Sequence, residues 1–289
     1  MNEKNRNLVV RIVTAVVLLP AVLALLAAGG WWTGGLVAIA AGACALEYEL
    51  ITQRKLGPAE VLAVLGAALI PLAAVTYPVG FTMFAAWILW AVFVAASVQA
   101  LFAPDRDRAP TRTAHVVTGC LYAGLGLGPI AALRVGPEGL QWVISALVIT
   151  WANDTCAYFA GRFFGRHKLH PAVSPNKTWE GFAGGAVGSV AGMFIARWVA
   201  FPGLTTVDCV ALGLLGAVLG LLGAVLGPLG DLCESLLKRA HGVKDSGTLI
   251  PGHGGLLDRV DALLFNAPAV YLYVVAVRGL LGGSLPGAL

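Results

Sequence analysis

The chain has 289 residues, 58% of them apolar and 12% charged, with a formal net charge of +4; a soluble domain has roughly 45–50% apolar and about 25% charged residues. That balance argues against a soluble enzyme, a disordered chain and a short disulfide framework, and leaves the bilayer as the solvent. At about 20 apolar residues per spanning helix plus a connection, the length holds roughly eight to ten spans in one continuous membrane domain.

Taken in chain order, apolar runs occupy residues 8–28, 31–51, 59–77, 79–100, 114–133, 139–160, 181–200, 207–232 and 262–281. They predict an all-α, polytopic helical bundle with about nine transmembrane helices. Residues 1–113 form an N-terminal set of spans, and residues 114–289 a C-terminal catalytic region carrying the polar motifs. Lys4, Arg6 and Arg11 before the first run also resemble a secretory signal, but the run is longer than a usual signal core, which favours a retained span. With the N-terminus in the cytoplasm, the segments 52–58, 101–113, 161–180 and 233–261 are cytoplasmic, and 16 of the 19 Lys and Arg fall inside. The positive-inside rule supports that orientation. Only Arg134, Arg197 and Arg278 fall outside.

Five cysteines, Cys44, Cys120, Cys156, Cys209 and Cys233, form no C-x-x-C pair and read as reduced packing residues. No Lys/Arg block with interleaved aromatics stands outside the apolar segments, so nucleic acid is not an expected partner. Glycines recur four apart in the seventh and eighth runs: Gly181/Gly185, Gly184/Gly188, Gly188/Gly192, Gly216/Gly220 and Gly223/Gly227. Close packing within the bundle is the favoured reading, beside a dimer face or the broken helices of a transporter.

Two cytoplasmic segments, 153–181 and 230–261, hold most of the versatile side chains. Asp154 and Asp231 lie within or at the end of apolar runs, where an ionised carboxylate needs a partner. On helices, Asp231, Glu234 and Ser235 share one face and Asp258 and Asp261 another, with Arg259 turned away. Two such acidic faces converging on one site would suit Mg²⁺ rather than Zn²⁺, because they offer hard oxygens without clustered His or Cys. The same carboxylates would alternatively pair with Lys238, Arg239, Lys244 and Arg259 as a solvated interface, and spacing leaves both readings open. Gly254 and Gly255 permit close backbone approach to a phosphate through exposed N–H groups, and His253 between glycines donates to a phosphate or orients the loop. Carboxylate-held magnesium beside cations is the apparatus of phosphoryl or nucleotidyl transfer. There is no P-loop, and Gly124-Leu-Gly-Leu-Gly128 lacks dinucleotide spacing. The remaining histidines read as ordinary interfacial residues, and the two N-x-T tripeptides, at Asn153 and Asn176, are discarded because they lie in the membrane or the cytoplasm.

The run Ser235-x-Leu-Lys-Arg239-x₄-Lys244-Asp-x-Gly247-x₂-Ile250-Pro-x-His-Gly-Gly-Leu256-x-Asp258-Arg-Val-Asp261 resembles the signature of the phosphatidate cytidylyltransferases, or CDP-diacylglycerol synthases. Asp154-Thr-x-Ala-Tyr158 and Ser174-Pro-x-Lys177-Thr-Trp-Glu-Gly181 are similar to further motifs of that family, with Asn176 where lysine is common. The resemblance is sharp over about 150–261; upstream it is confined to a multi-span region ending in family-like acidic positions such as Glu47. It implies a polytopic enzyme, often a homodimer, that makes CDP-diacylglycerol and pyrophosphate from CTP and phosphatidic acid, with Mg²⁺ and, as an optional second cation, K⁺. It implies Asp231 and Asp258 as metal ligands with Asp261 and Asp154 nearby, Lys238, Arg239, Lys244, Arg259 and Lys177 on phosphates, and Ser174 and Ser235 as further polar contacts. A CTP-dependent lipid kinase and an ion-coupled transporter are the alternatives. A CDP-alcohol phosphotransferase is excluded, since its motif begins Asp-Gly and no such dipeptide occurs. A chain this short without a targeting extension is expected in a bacterial inner membrane, its active site facing the cytoplasm.

Overall fold

The computed structural model describes residues 3–78, 80–171, 174–215, 226–252 and 254–279. Six helices come first: α1 (Glu3–Ala28), α2 (Gly30–Gln53), α3 (Pro58–Thr76), α4 (Phe81–Leu101), α5 (Ala109–Val135) and α6 (Gly139–Phe164). A two-stranded hairpin follows, β1 (Lys168–His170) and β2 (Ser174–Thr178). The chain then continues through α7 (Trp179–Val199), α8 (Thr206–Leu215), α9 (Leu226–Ala240), α10 (Leu257–Val260) and α11 (Leu263–Ala276). The fold is all-α apart from the hairpin, a polar segment whose strands the apolar pattern does not mark.

Among the described residues seven helices are long and apolar enough to cross a membrane, and they fall on the first seven apolar runs. The eighth run appears as α8 and α9 on either side of 216–225, which lies outside the described residues, as do most of the glycines of its stripe. The ninth yields α11, 14 residues long and too short by itself to cross a bilayer core of about 30 Å.

The chain divides into two compact units: Met1–Gly136 with His241–Val260, and Pro137–Ala240 with Asp261–Leu289. A boundary between 113 and 114 would cut α5. In the first unit α2, α3 and α5 pack together through small residues: Ala41, Ala45, Ala63, Ala67 and Ala123 are fully buried. Gly124 belongs to this seam, since a Cβ there would lie 3.1 Å from the Ala67 Cα. Lipid offers no hydrophobic gain for helix association, so backbone proximity and polar ties supply it. One such tie is Glu60 on α3, 1% exposed, which accepts Gly57 N–H at 2.7 Å and both Arg112 Nε and Nη2 from α5 at 2.5 and 2.6 Å.

In the second unit α6 and α7 form the main contact. Here the glycine stripe faces α6: Cβ atoms at Gly185 and Gly192 would lie 2.5 Å from Asn153 Oδ1 and 3.0 Å from the Ala152 Cβ, and one at Gly184 would collide with the Ala160 Cβ. The structure thus uses the stripe for packing within the bundle. Thr178 ends β2 and caps α7, its hydroxyl accepting Gly181 N–H at 3.1 Å. Asn266 on α11 donates to the Thr150 hydroxyl on α6 at 2.9 Å, and Tyr273 donates to Asp208 on α8 at 2.7 Å.

The charge asymmetry predicts a labelling pattern. In a cysteine-free background, Thr111→Cys and Lys168→Cys, both at exposed positions, should resist an impermeant thiol reagent applied outside intact cells, whereas exposed Gly203→Cys should react. Labelling of residue 168 from outside would reverse the orientation.

Candidate active site

The second unit carries an open-sided cavity of about 600 Å³, within the range of small-molecule sites. Its polar lining comes from Asn153, Asp154, Tyr158 and Arg162 on α6, Asn176, Lys177 and Thr178 on β2, and Asp231 on α9. Ala157, Gly161, Leu169, Gly181 and Phe182 supply the rest. The hairpin's function is legible here. Strand β2 leads directly into the α7 cap and carries Lys177 to the cavity.

Lys177 Nζ lies 2.6 Å from Asp231 Oδ2, and the Ser235 hydroxyl donates to Asp231 Oδ1 at 3.2 Å. Carboxylate oxygens of Asp231, Glu234 and Asp261 all lie within 4.8 Å of one another. Helical i,i+3 spacing puts the first two on one face of α9. Gly230 admits the third: a Cβ there would collide with the Asp261 carbonyl oxygen. Burial, then the charge of Asp231, push the Asp261 carboxyl up to about 7, with Asp154 close enough to add to the effect. Three convergent carboxylates that resist shared ionisation are a donor set of the kind that Mg²⁺ fits.

The sign of that shift gives a second prediction. Between about 4, the ordinary carboxylate value, and about 7, the folded protein holds a proton on Asp261 that the unfolded chain has lost. With a chelator present, stability in detergent should therefore fall as pH rises from 5 to 8, and Mg²⁺ should oppose the fall. Asp261→Asn should flatten the chelator profile; an unchanged slope in its thermal unfolding would refute the attribution.

Asp258 belongs to the first unit. Its Oδ2 accepts the N–H groups of Ser246 at 2.9 Å and Gly255 at 3.1 Å. Gly255 is buried, so its N–H is committed to this loop rather than exposed for a phosphate as the sequence suggested. Gly254 has φ +85°, a conformation that favours glycine. His253 lies outside the described residues. Lys244 and Arg259 are exposed in the first unit, and Arg239 is exposed at the end of α9. Lys238 Nζ pairs with Glu234 at 3.2 Å, so this part of the ion-paired reading holds alongside the cluster. Ser174 opens β2 opposite His170 and does not line the cavity. Glu234 was visible as a face partner of Asp231 and Tyr158 as the end of the Asp154 motif, whereas Asn153 and Arg162 were marked only by lying in the polar segment 153–181.

The model of the cytidylyltransferase family matches residues 9–277. Phosphatidate cytidylyltransferases of Brucella suis and Brucella abortus are each 44% identical to this chain over 157 residues, covering 54% of it and 55% of the relative. That of Staphylococcus saprophyticus is 40% identical over 164 residues, covering 54% of this chain and 57% of the relative. The aligned part of the chain spans about half the length of the curated relatives it matches. With a match that runs from the first predicted span to the last described helix, the chain belongs to the cytidylyltransferase family.

Proposed function

We propose that the protein is a membrane phosphatidate cytidylyltransferase, converting CTP and phosphatidic acid into CDP-diacylglycerol and pyrophosphate at the cytoplasmic side of the cell membrane. The observation that carries the reading is the Lys177–Asp231 pair at the cavity, with Glu234 and Asp261 converging beside it. A lipid phosphomonoester is already anionic at neutral pH, so its oxygen needs no base to attack the α-phosphorus of CTP. The new oxygen–phosphorus bond forms as the bond from the α-phosphorus to the bridging oxygen breaks, and pyrophosphate leaves with that electron pair.

Bringing two anions together requires positive charge and orientation. Lys177 supplies a half-buried ammonium whose position Asp231 fixes. Arg162, whose Nη1 donates to the Tyr158 hydroxyl at 2.8 Å, offers a second cation at the cavity wall. Asp231, Glu234 and Asp261 would hold a divalent cation, Mg²⁺ by the hardness of the donors, supplying charge neutralisation at the phosphates. Asp258 enters the reading through the signature, as do Lys238, Arg239, Lys244, Arg259, Ser174, Ser235, His253 and Gly254 as substrate contacts, K⁺ as a second cation, and a homodimeric state.

Isotope placement tests the reaction. Protein purified in detergent with phosphatidic acid, Mg²⁺ and CTP should move label from the α-phosphorus into lipid, while label from the γ-phosphorus should appear only in pyrophosphate. Lipid labelled from the γ-position would establish a kinase instead. Folded protein that labels no lipid from either position would favour transport.

A further inference from the structure

Glu47, near the end of α2, is 4% exposed, and three donors from one distant loop converge on its carboxylate. Its Oε2 accepts the Ser246 hydroxyl at 3.0 Å and Leu257 N–H at 2.7 Å, and its Oε1 accepts Leu256 N–H at 2.9 Å. The same loop encloses Asp258. Ser246 joins the two carboxylates: its hydroxyl donates to Glu47 and accepts Asp258 N–H at 3.3 Å, while its own N–H donates to Asp258 Oδ2. The loop's glycines make the approach feasible. A Cβ on Gly247 would lie 2.7 Å from Glu47 Oε1, and one on Gly255 would collide with Ser246 Oγ and lie 2.6 Å from Glu47 Oε2.

A carboxylate in a membrane span is retained at a cost and calls for a named partner. Here the partners are three donors, all of them met by the two acceptor oxygens of one carboxylate. A glutamine would present one acceptor oxygen and set its NH₂ against an N–H or O–H.

We propose that Glu47 is a positioning residue: its carboxylate ties Ser246 to Leu256 and Leu257 so that Asp258 is held in one orientation. Its part in turnover rests on the cytidylyl-transfer reading, whereas its hold on the loop does not. The test compares wild type, Glu47→Gln, Glu47→Asp and the neighbouring buried Glu49→Gln in detergent, by hydrogen exchange of peptides covering 245–258, thermal unfolding and α-label transfer. Glu47→Gln should still unfold cooperatively, its loop amides should exchange about tenfold faster or more, and kcat should fall more than tenfold with KM for CTP changed less than threefold. The Mg²⁺ concentration for half-maximal rate should rise, and Glu47→Asp should recover part of kcat.

Unchanged loop exchange in Glu47→Gln would overturn the proposal. So would exchange rising equally throughout the protein, or loosening of the loop by Glu49→Gln to the same degree, since either means loss of general stability. If wild type transfers no label, the cytidylyl-transfer reading fails, and the exchange data still decide whether Glu47 holds the loop.

Discussion

Asp231→Asn should reduce turnover about a thousandfold while leaving a folded, membrane-inserted protein. The replacement is isosteric and keeps an acceptor for the Ser235 hydroxyl, so little packing changes. What disappears is the charge that holds Lys177 at 2.6 Å and one of three carboxylates lying within 4.8 Å of one another. On the proposed reading, losing a ligand to a hard cation together with the orientation of a phosphate-neutralising ammonium would remove about 4 kcal/mol of transition-state stabilisation, which corresponds to roughly that factor. Transfer of α-label from CTP into lipid, followed across a Mg²⁺ titration, measures it. Near-normal turnover at ordinary Mg²⁺ would sink the metal assignment. Lys244→Ala, at an exposed position, should cost less than tenfold, chiefly in KM for CTP.

Gly188→Leu should lower the melting temperature of the second unit sharply. A Cβ at this position already collides with Cys156 Cβ and Sγ and lies 3.0 Å from the Ala152 carbonyl oxygen, so four additional carbons cannot be accommodated unless α7 leaves α6. Those two helices carry or adjoin Asn153, Asp154, Arg162 and Thr178, and the cavity separates with them. Overpacking of about 3 kcal/mol or more would lower the melting temperature by roughly 6–12 °C. Gly35→Leu provides the contrast, because nothing lies within 4 Å of a Cβ there. Equal melting temperatures for the two variants would mean that the α6–α7 seam is looser than its geometry.

The seven long helices were legible because hydropathy is local: each apolar run states its own solvent, and α1 to α7 follow the runs to within a few residues. The acidic face of α9 was legible for the same reason, through spacing along one helix. Partner choice is not local. That Lys177 closes on Asp231, or Arg112 on Glu60, depends on residues 54 and 52 positions apart, and no spacing rule reaches that far. Gly255 shows the same limit of a local reading. A glycine beside a turn suggests room for a ligand, but here the room is taken by Ser246 and Glu47 of the protein itself.

The bonds of Glu47 to Ser246, Leu256 and Leu257 also set a timetable for the chain's synthesis. At about 5–20 residues per second, the ribosome reaches residue 257 roughly 10–40 s after residue 47. The helix that carries this carboxylate is thus made long before any of its donors exist. Because His241–Val260 returns to the first unit after most of the second has been made, that unit cannot be finished before the other is well advanced. A nascent chain stalled or truncated before residue 241 would carry the Glu47 carboxylate in α2 without any of its three donors.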